Sequence, residues 1–322
     1  MKTLQPLRKY ASLLIMIGFV GWAVWYAGRH AQDLSRLGKL SAGWLALLLA
    51  LAVLKLMAMG LFTRVIMGSL GIYLDFTEWF GLSAMTSMGN YLSPFRGGAA
   101  IRGVYLKAKH GLPYTKFLST LAILYLLSFS TNAVIGLLAL AILWLSFGIT
   151  NSALTLFLAA CLALPAIFLI LVRRLPRLPG KWSGSLNRVI EGWQIVAAHP
   201  GTLVALVGLS VLNASVTLLM IHFSFAAFGA DMPLVKSLVA STLFLISAMI
   251  PITPAGMGIA EMMLVLSSQT LGIDGVTSIF SAGLNRSAVI AASLAMGPLF
   301  SYILSKRPAH SAQAEKERKK DA

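Results

Sequence analysis

Six runs of almost uncharged residues decide what this chain can become. They lie at 11–28, 41–63, 117–147, 152–172, 201–228 and 275–304. Crossing the apolar core of a bilayer takes about 20 residues of helix, and each run is close to that length or longer. Backbone exposed to lipid must satisfy its own hydrogen bonds, which leaves helices or a closed barrel. The runs lack the alternation of a barrel strand, so the expected fold class is an all-α integral membrane protein. Of the 322 residues, 58% are hydrophobic and 11% are charged, against roughly 25% charged in a soluble domain. An ordinary soluble enzyme is excluded. The first run follows Lys2, Arg8 and Lys9, as a signal peptide would. Arg29 and His30 stand where a small-residue cleavage site would fall, so it reads as an uncleaved span. The run 117–147 is long for one helix and reads as a tilted span or a broken one.

The charge balance is +16, from 26 Lys and Arg against 10 Asp and Glu. In a soluble chain that excess would point to nucleic acid. On this apolar background it points to retention of basic residues on the cytoplasmic side. Four clusters hold 19 of the 26, within residues 1–10, 96–116, 173–188 and 306–320. The loop 29–40 runs against the pattern, with Arg29, Arg36 and Lys39 outweighing Asp33 on the expected outer face. A single thiol, Cys161, excludes a disulfide framework. The five histidines show no metal-ligand spacing, and no cofactor motif is present. No metal, cofactor or nucleic-acid partner is therefore expected. The expected partners are membrane lipids with anionic headgroups, and a second copy or a partner synthase.

Two further apolar stretches are short and interrupted. Residues 79–93 run into SPFRGGAAIRGVYLKAKHG, and 237–272 contain PITPAGMG. Proline breaks a helix interior, and such breaks survive at membrane depth only under cover of protein or a polar cavity. Both stretches read as re-entrant helical hairpins; the alternative is two kinked spans. Pro94 precedes Gly98 and Gly111, and Pro254 precedes Gly258 and Gly272, at nearly equal spacings. Each motif is followed by a long span. The chain therefore reads as one domain over 1–304, with repeats at about 41–147 and 201–304, and a disordered basic tail at 305–322. Six spans and two hairpins put all four basic clusters in the cytoplasm, with both termini. Three spans separate the hairpins, so they enter from opposite sides. Inverted repeats with broken helices are a transporter architecture that binds substrate near the midplane.

Ionisable groups inside spans are costly and mark function by default. Lys55, Glu261, Arg286 and His222 are the candidates. Glu261 lies in the first turn after Gly258, where a helix dipole favours a carboxylate. Arg286 either pairs with Glu261 or faces an anionic headgroup. Lys55 either snorkels or faces the interior. His222 reads as a structural histidine or a proton relay. Arg96 and Arg102 bracket Gly97 and Gly98, which suits a phosphate pocket or an anchor on anionic lipid. Asn90, Asn132 and Asn213 read as interhelical hydrogen-bonding groups.

The segment 90–129 resembles the first signature of the membrane region of lysylphosphatidylglycerol synthases and related flippase-like proteins. Asn90, Pro94, Arg96, Gly98 and Arg102 match it, while Ala99 stands where that family usually has Glu. The family's Glu-Arg pair in the next span is absent. The segment 254–290 resembles the second signature through Pro254, Gly256, Gly258, Glu261 and Arg286. The resemblance implies a lipid-translocating domain of the cell membrane whose matched residues bind substrate. With no soluble aminoacyl-transferase domain following residue 322, the expectation is a flippase-like protein rather than an enzyme. A membrane component of lipid-linked glycosyl or aminoacyl transfer, or a non-transporting accessory protein, is the alternative.

Overall fold

The computed structural model describes residues 40–93, 97–174, 187, 194, 199–249 and 253–307, the side chains of 168–174 and 254 excepted. The expected span 11–28, most of the polar stretch 173–200, Pro94, Arg96 and most of the tail lie outside the described residues. Within them the chain is helical, with nine helices and no strand. In order they are α1 (Ala42–Ser69), α2 (Phe76–Leu92), α3 (Gly98–His110), α4 (Tyr114–Phe147), α5 (Ser152–Arg174), α6 (Pro200–Ala226), α7 (Leu234–Ala248), α8 (Ile259–Thr270) and α9 (Gly275–Ser305). A single 3-10 turn, Pro254–Gly256, sits between α7 and α8.

Some of the helices begin at side-chain caps that the sequence supplies. The side chain of Ser41 accepts from the Trp44 amide. Asp75 accepts from Glu78 N at 2.8 Å, and Asp274 accepts from Thr277 N at 2.9 Å. Each satisfies an amide that a helix start leaves unpaired. Four helices, α1, α4, α6 and α9, are long and apolar enough to cross a membrane. The run 117–147 is one unbroken helix, not two. Its 34 residues would extend about 51 Å at 1.5 Å per residue, so it exceeds an apolar core of about 30 Å unless it tilts or protrudes.

Both interrupted stretches are helix–break–helix units. The first breaks between Leu92 and Gly98, the second between Ala248 and Ile259. In the first, α3 crosses α2 so closely that a Cβ on Gly98 would lie 1.9 Å from the Thr86 carbonyl oxygen. Only glycine permits that approach. The Gly98 amide donates to Asn90 Oδ1 at 3.2 Å, so Asn90 closes this unit from α2. In the second, Ala255, Gly256 and Gly258 have φ of 49°, 70° and 84°. Three left-handed residues in four reverse the chain, and two of them are glycines that bear no strain there.

The element order of a long helix, a broken pair and a long helix therefore occurs twice. Packing follows the same correspondence when α1, α2, α3 and α4 are matched with α6, α7, α8 and α9. The pair α1–α2 corresponds to α6–α7, and α2–α3 to α7–α8. Each broken unit leans on the other half's last helix, α2 on α9 and α7 on α4. The two first helices, α1 and α6, pack on each other. Two apolar cores result. One is built on Leu56, Leu82 and Leu106, the other on Leu158, Leu243 and Leu264. One correspondence fails. Helix α6 packs on α9, whereas α1 and α4 do not form a close pair among the described residues.

A cationic cavity as the candidate functional site

Where α1 and α4 stand apart, a cavity of about 250 Å³ opens into the centre of the molecule. Its walls come from α1, α2, α3, α4, α6, α7 and α9, and both broken units contribute. Met59 of α1 and Tyr125 of α4 are the two exposed side chains in its described lining, so the cavity is most accessible between these helices. Among the described residues three cationic side chains line it: Lys55, Arg102 and Arg286.

Arg286 is held most completely. It is largely enclosed on α9 and forms an ion pair with Glu261, whose Oε1 also accepts from Arg286 Nε. Its Nη1 donates to Tyr91 Oη at 3.2 Å and to the Ala255 carbonyl at 3.3 Å. Arg286 therefore joins the last helix to both breaks. Glu261 has a second duty at the start of α8. Its Oε2 accepts from the Gly258 amide at 2.7 Å, the side-chain half of a capping box. The two sequence-based readings of Glu261, helix cap and partner of Arg286, hold together, one through each oxygen.

Lys55 does not reach for the end of its helix. Its Nζ lies 5.7 Å from the centre of the Phe244 ring, inside the cavity. Arg286 lies at 5.7 Å from the same ring. Arg102 donates from Nη1 to Thr63 Oγ1 at 2.7 Å and lies 5.6 Å from the Phe117 ring. Its Nε is buried without a hydrogen-bond partner. Neutral partners and ring faces stabilise a cation only modestly. Neither Lys55 nor Arg102 has a carboxylate partner among the described residues.

Residues 10–297 match the family model for the lysylphosphatidylglycerol synthase TM region. The chain belongs to this family. Together with the long apolar helices, membership makes it a multi-pass membrane protein tied to lipid metabolism or transport. Compared with curated proteins, the chain matches none. The family's two signatures, remote in sequence, meet around this cavity: Asn90 and Arg102 from the first and Arg286 from the second are in its wall. Gly98, Gly256 and Gly258 do not line it; they shape the backbone of the two breaks. His222 is not brought to the cavity either. Its Nδ1 lies 3.1 Å from Ser237 Oγ, linking α6 to α7. Asn132 lines the cavity but donates within its own helix, to the Ser128 carbonyl, rather than across to another.

Several residues of the site carry no sequence signal. Tyr91, Tyr125 and Phe244 are aromatics among many, and Asn285 is read past because Arg286 follows it. A second polar cluster lies outside the cavity. Buried Glu78 accepts from Tyr105 Oη at 2.8 Å, lies 2.9 Å from His110 Nε2, and faces Arg307 at 4.0 Å. It ties α2, α3 and the end of α9 together.

Proposed function

We propose that this protein moves an anionic lipid, or a lipid-linked anion, between leaflets, with the headgroup passing through the cationic cavity. The observation that carries the reading is the position of the mouth. The two exposed residues of its lining, Met59 and Tyr125, belong to α1 and α4, which do not pack closely on each other among the described residues, and we read the entrance there. A soluble anion needs a route from water, whereas an amphiphile needs an opening in the wall that lipid touches. The cavity is smaller than the ~300–1,000 Å³ typical of drug-sized ligands. That suits a headgroup inside with acyl or prenyl chains left in the mouth. Glu261, the acid beside the cavity, is already engaged by Arg286 and the Gly258 amide, which supports a part in structure or transport over one in acid–base catalysis.

In this reading the chain has six spans and two re-entrant hairpins in the cell membrane, with both termini cytoplasmic. The matched order and packing of the two halves support an inverted repeat, and the odd number of spans between the breaks makes the hairpins enter from opposite faces. Arg286 bridges the two breaks, so it would register one hairpin against the other as the halves rock. Membrane lipids are the partners in this scheme.

Reconstitution tests the function. Vesicles carrying the protein and a fluorescent anionic lipid should lose inner-leaflet label to an external quencher faster than empty vesicles. Arg286→Gln and Lys55→Gln should each slow that loss. No movement of any lipid would reject transport. Topology is tested separately by single cysteines near Arg96 and near Ala255, which should label from opposite sides; labelling from one side would reject the inversion.

A further inference from the structure

The charge inventory of the cavity narrows the substrate further. We infer that the site takes a lipid whose headgroup carries at least two negative charges on phosphate, a phosphomonoester or a diphosphate, in preference to a singly charged phosphodiester. This deepens the lipid-transport reading and rests on it.

The argument is one of compensation. Among the described residues three cations line the cavity, and Glu261 neutralises one of them through Arg286. Lys55 and Arg102 remain, with a ring face, a threonine hydroxyl and no carboxylate among the described residues. Arg102 also keeps a buried Nε donor unpaired, and such donors are costly until an acceptor arrives. A zwitterionic headgroup would bring a third-party cation into a cavity that already has an excess. A phosphodiester would compensate one of the two. A terminal phosphate carries close to two charges above its second pKa of about 6 and offers three acceptor oxygens. Charge-assisted bonds to Lys and Arg are the stronger kind. Tyr91, Ser87, Asn90 and Asn285 add neutral hydrogen-bonding groups around the same space.

The probes are short-chain phosphatidic acid, phosphatidylglycerol, phosphatidylcholine, a prenyl diphosphate and inorganic phosphate, each competed at pH 8 and fixed salt against a fluorescent phosphatidic acid on the purified full chain. The expected result is that phosphatidic acid or the prenyl diphosphate displaces at a concentration about tenfold lower than phosphatidylglycerol does. The two arms separate a glycerolipid from a prenyl source. Lys55→Gln and Arg102→Gln should each shrink that ratio to about threefold or less, and Lys55→Arg should restore it, which separates a charge effect from misfolding. For phosphatidic acid, lowering the pH below about 6 should also shrink it, because the phosphomonoester loses its second charge, whereas the diphosphate keeps two. Equal or tighter binding of phosphatidylglycerol would overturn the inference and leave lipid transport standing. A preference that survives both glutamine variants would overturn its assignment to Lys55 and Arg102. Inorganic phosphate competing as well as phosphatidic acid, or no lipid binding at all, would overturn the lipid reading itself.

Discussion

Glu261→Gln separates the two duties of that side chain. The amide keeps an oxygen for the Gly258 N–H, now at 2.7 Å from Oε2, so the start of α8 survives. It cannot neutralise Arg286. Both side chains of the pair are nearly enclosed, at 13% and 8% exposure. Breaking a buried pair by removing one partner costs about 3–5 kcal/mol. The lower end applies, because Arg286 retains Tyr91 Oη and the Ala255 carbonyl and adjoins a cavity. The expected loss for Glu261→Gln is therefore ~3 kcal/mol. Arg286→Gln should cost less, ~2 kcal/mol, since the helix start still favours the remaining carboxylate. The double variant should lose less than the sum, with a coupling of ~2 kcal/mol, inside the range for residues in direct contact. Equilibrium unfolding in mixed micelles, read by intrinsic fluorescence, gives all three values. Additivity within about 0.5 kcal/mol would refute the pairing as an energetic link between the two breaks.

Other outcomes follow from the same geometry. Gly98→Ala should destabilise the first broken unit more than Ala99→Gly does, because its Cβ meets the Thr86 carbonyl at 1.9 Å and Asn90 Oδ1 at 2.7 Å; limited proteolysis after 93 reads the loss. Asn90→Ala removes the acceptor for the Gly98 amide and should cost about 1 kcal/mol, measured by the same unfolding. Glu78→Gln should loosen α3 and the end of α9 together, seen as faster hydrogen exchange in 104–110 and 300–307, with lipid binding in the cavity unchanged. His222→Asn should leave lipid movement intact, since that side chain bonds Ser237 away from the cavity.

Much of this arrangement was legible before any coordinates. Apolar runs mark helices because lipid tolerates nothing else, and the runs 41–63, 201–228 and 275–304 match helices to within a few residues, apart from the extension of α1 to Ser69. The breaks were legible because Pro and clustered Gly leave few other options. Arg286 and Glu261 stood out as charges on apolar ground, and their pairing was one of the two readings that the cost of burying them allowed. What pattern cannot give is rotation about a helix axis. Lys55 on α1 reads equally as snorkelling or inward until α7 places Phe244 against it. Tyr91 and Tyr125 are ordinary aromatics until the fold makes one a partner of Arg286 and the other a rim of the cavity. Gly98, Gly256 and Gly258 were legible as motif members, but their part is in the backbone rather than at the cavity wall.

The claim on which the rest depends is that headgroups enter between α1 and α4. It can be tested by tying that opening shut. With the native Cys161 replaced, cysteines at Met59 and Tyr125 joined by a cleavable thiol crosslinker would bridge the mouth. The account predicts that crosslinked protein in vesicles stops moving anionic lipid, and that cleaving the linker restores movement. Undiminished movement with the bridge in place would contradict it.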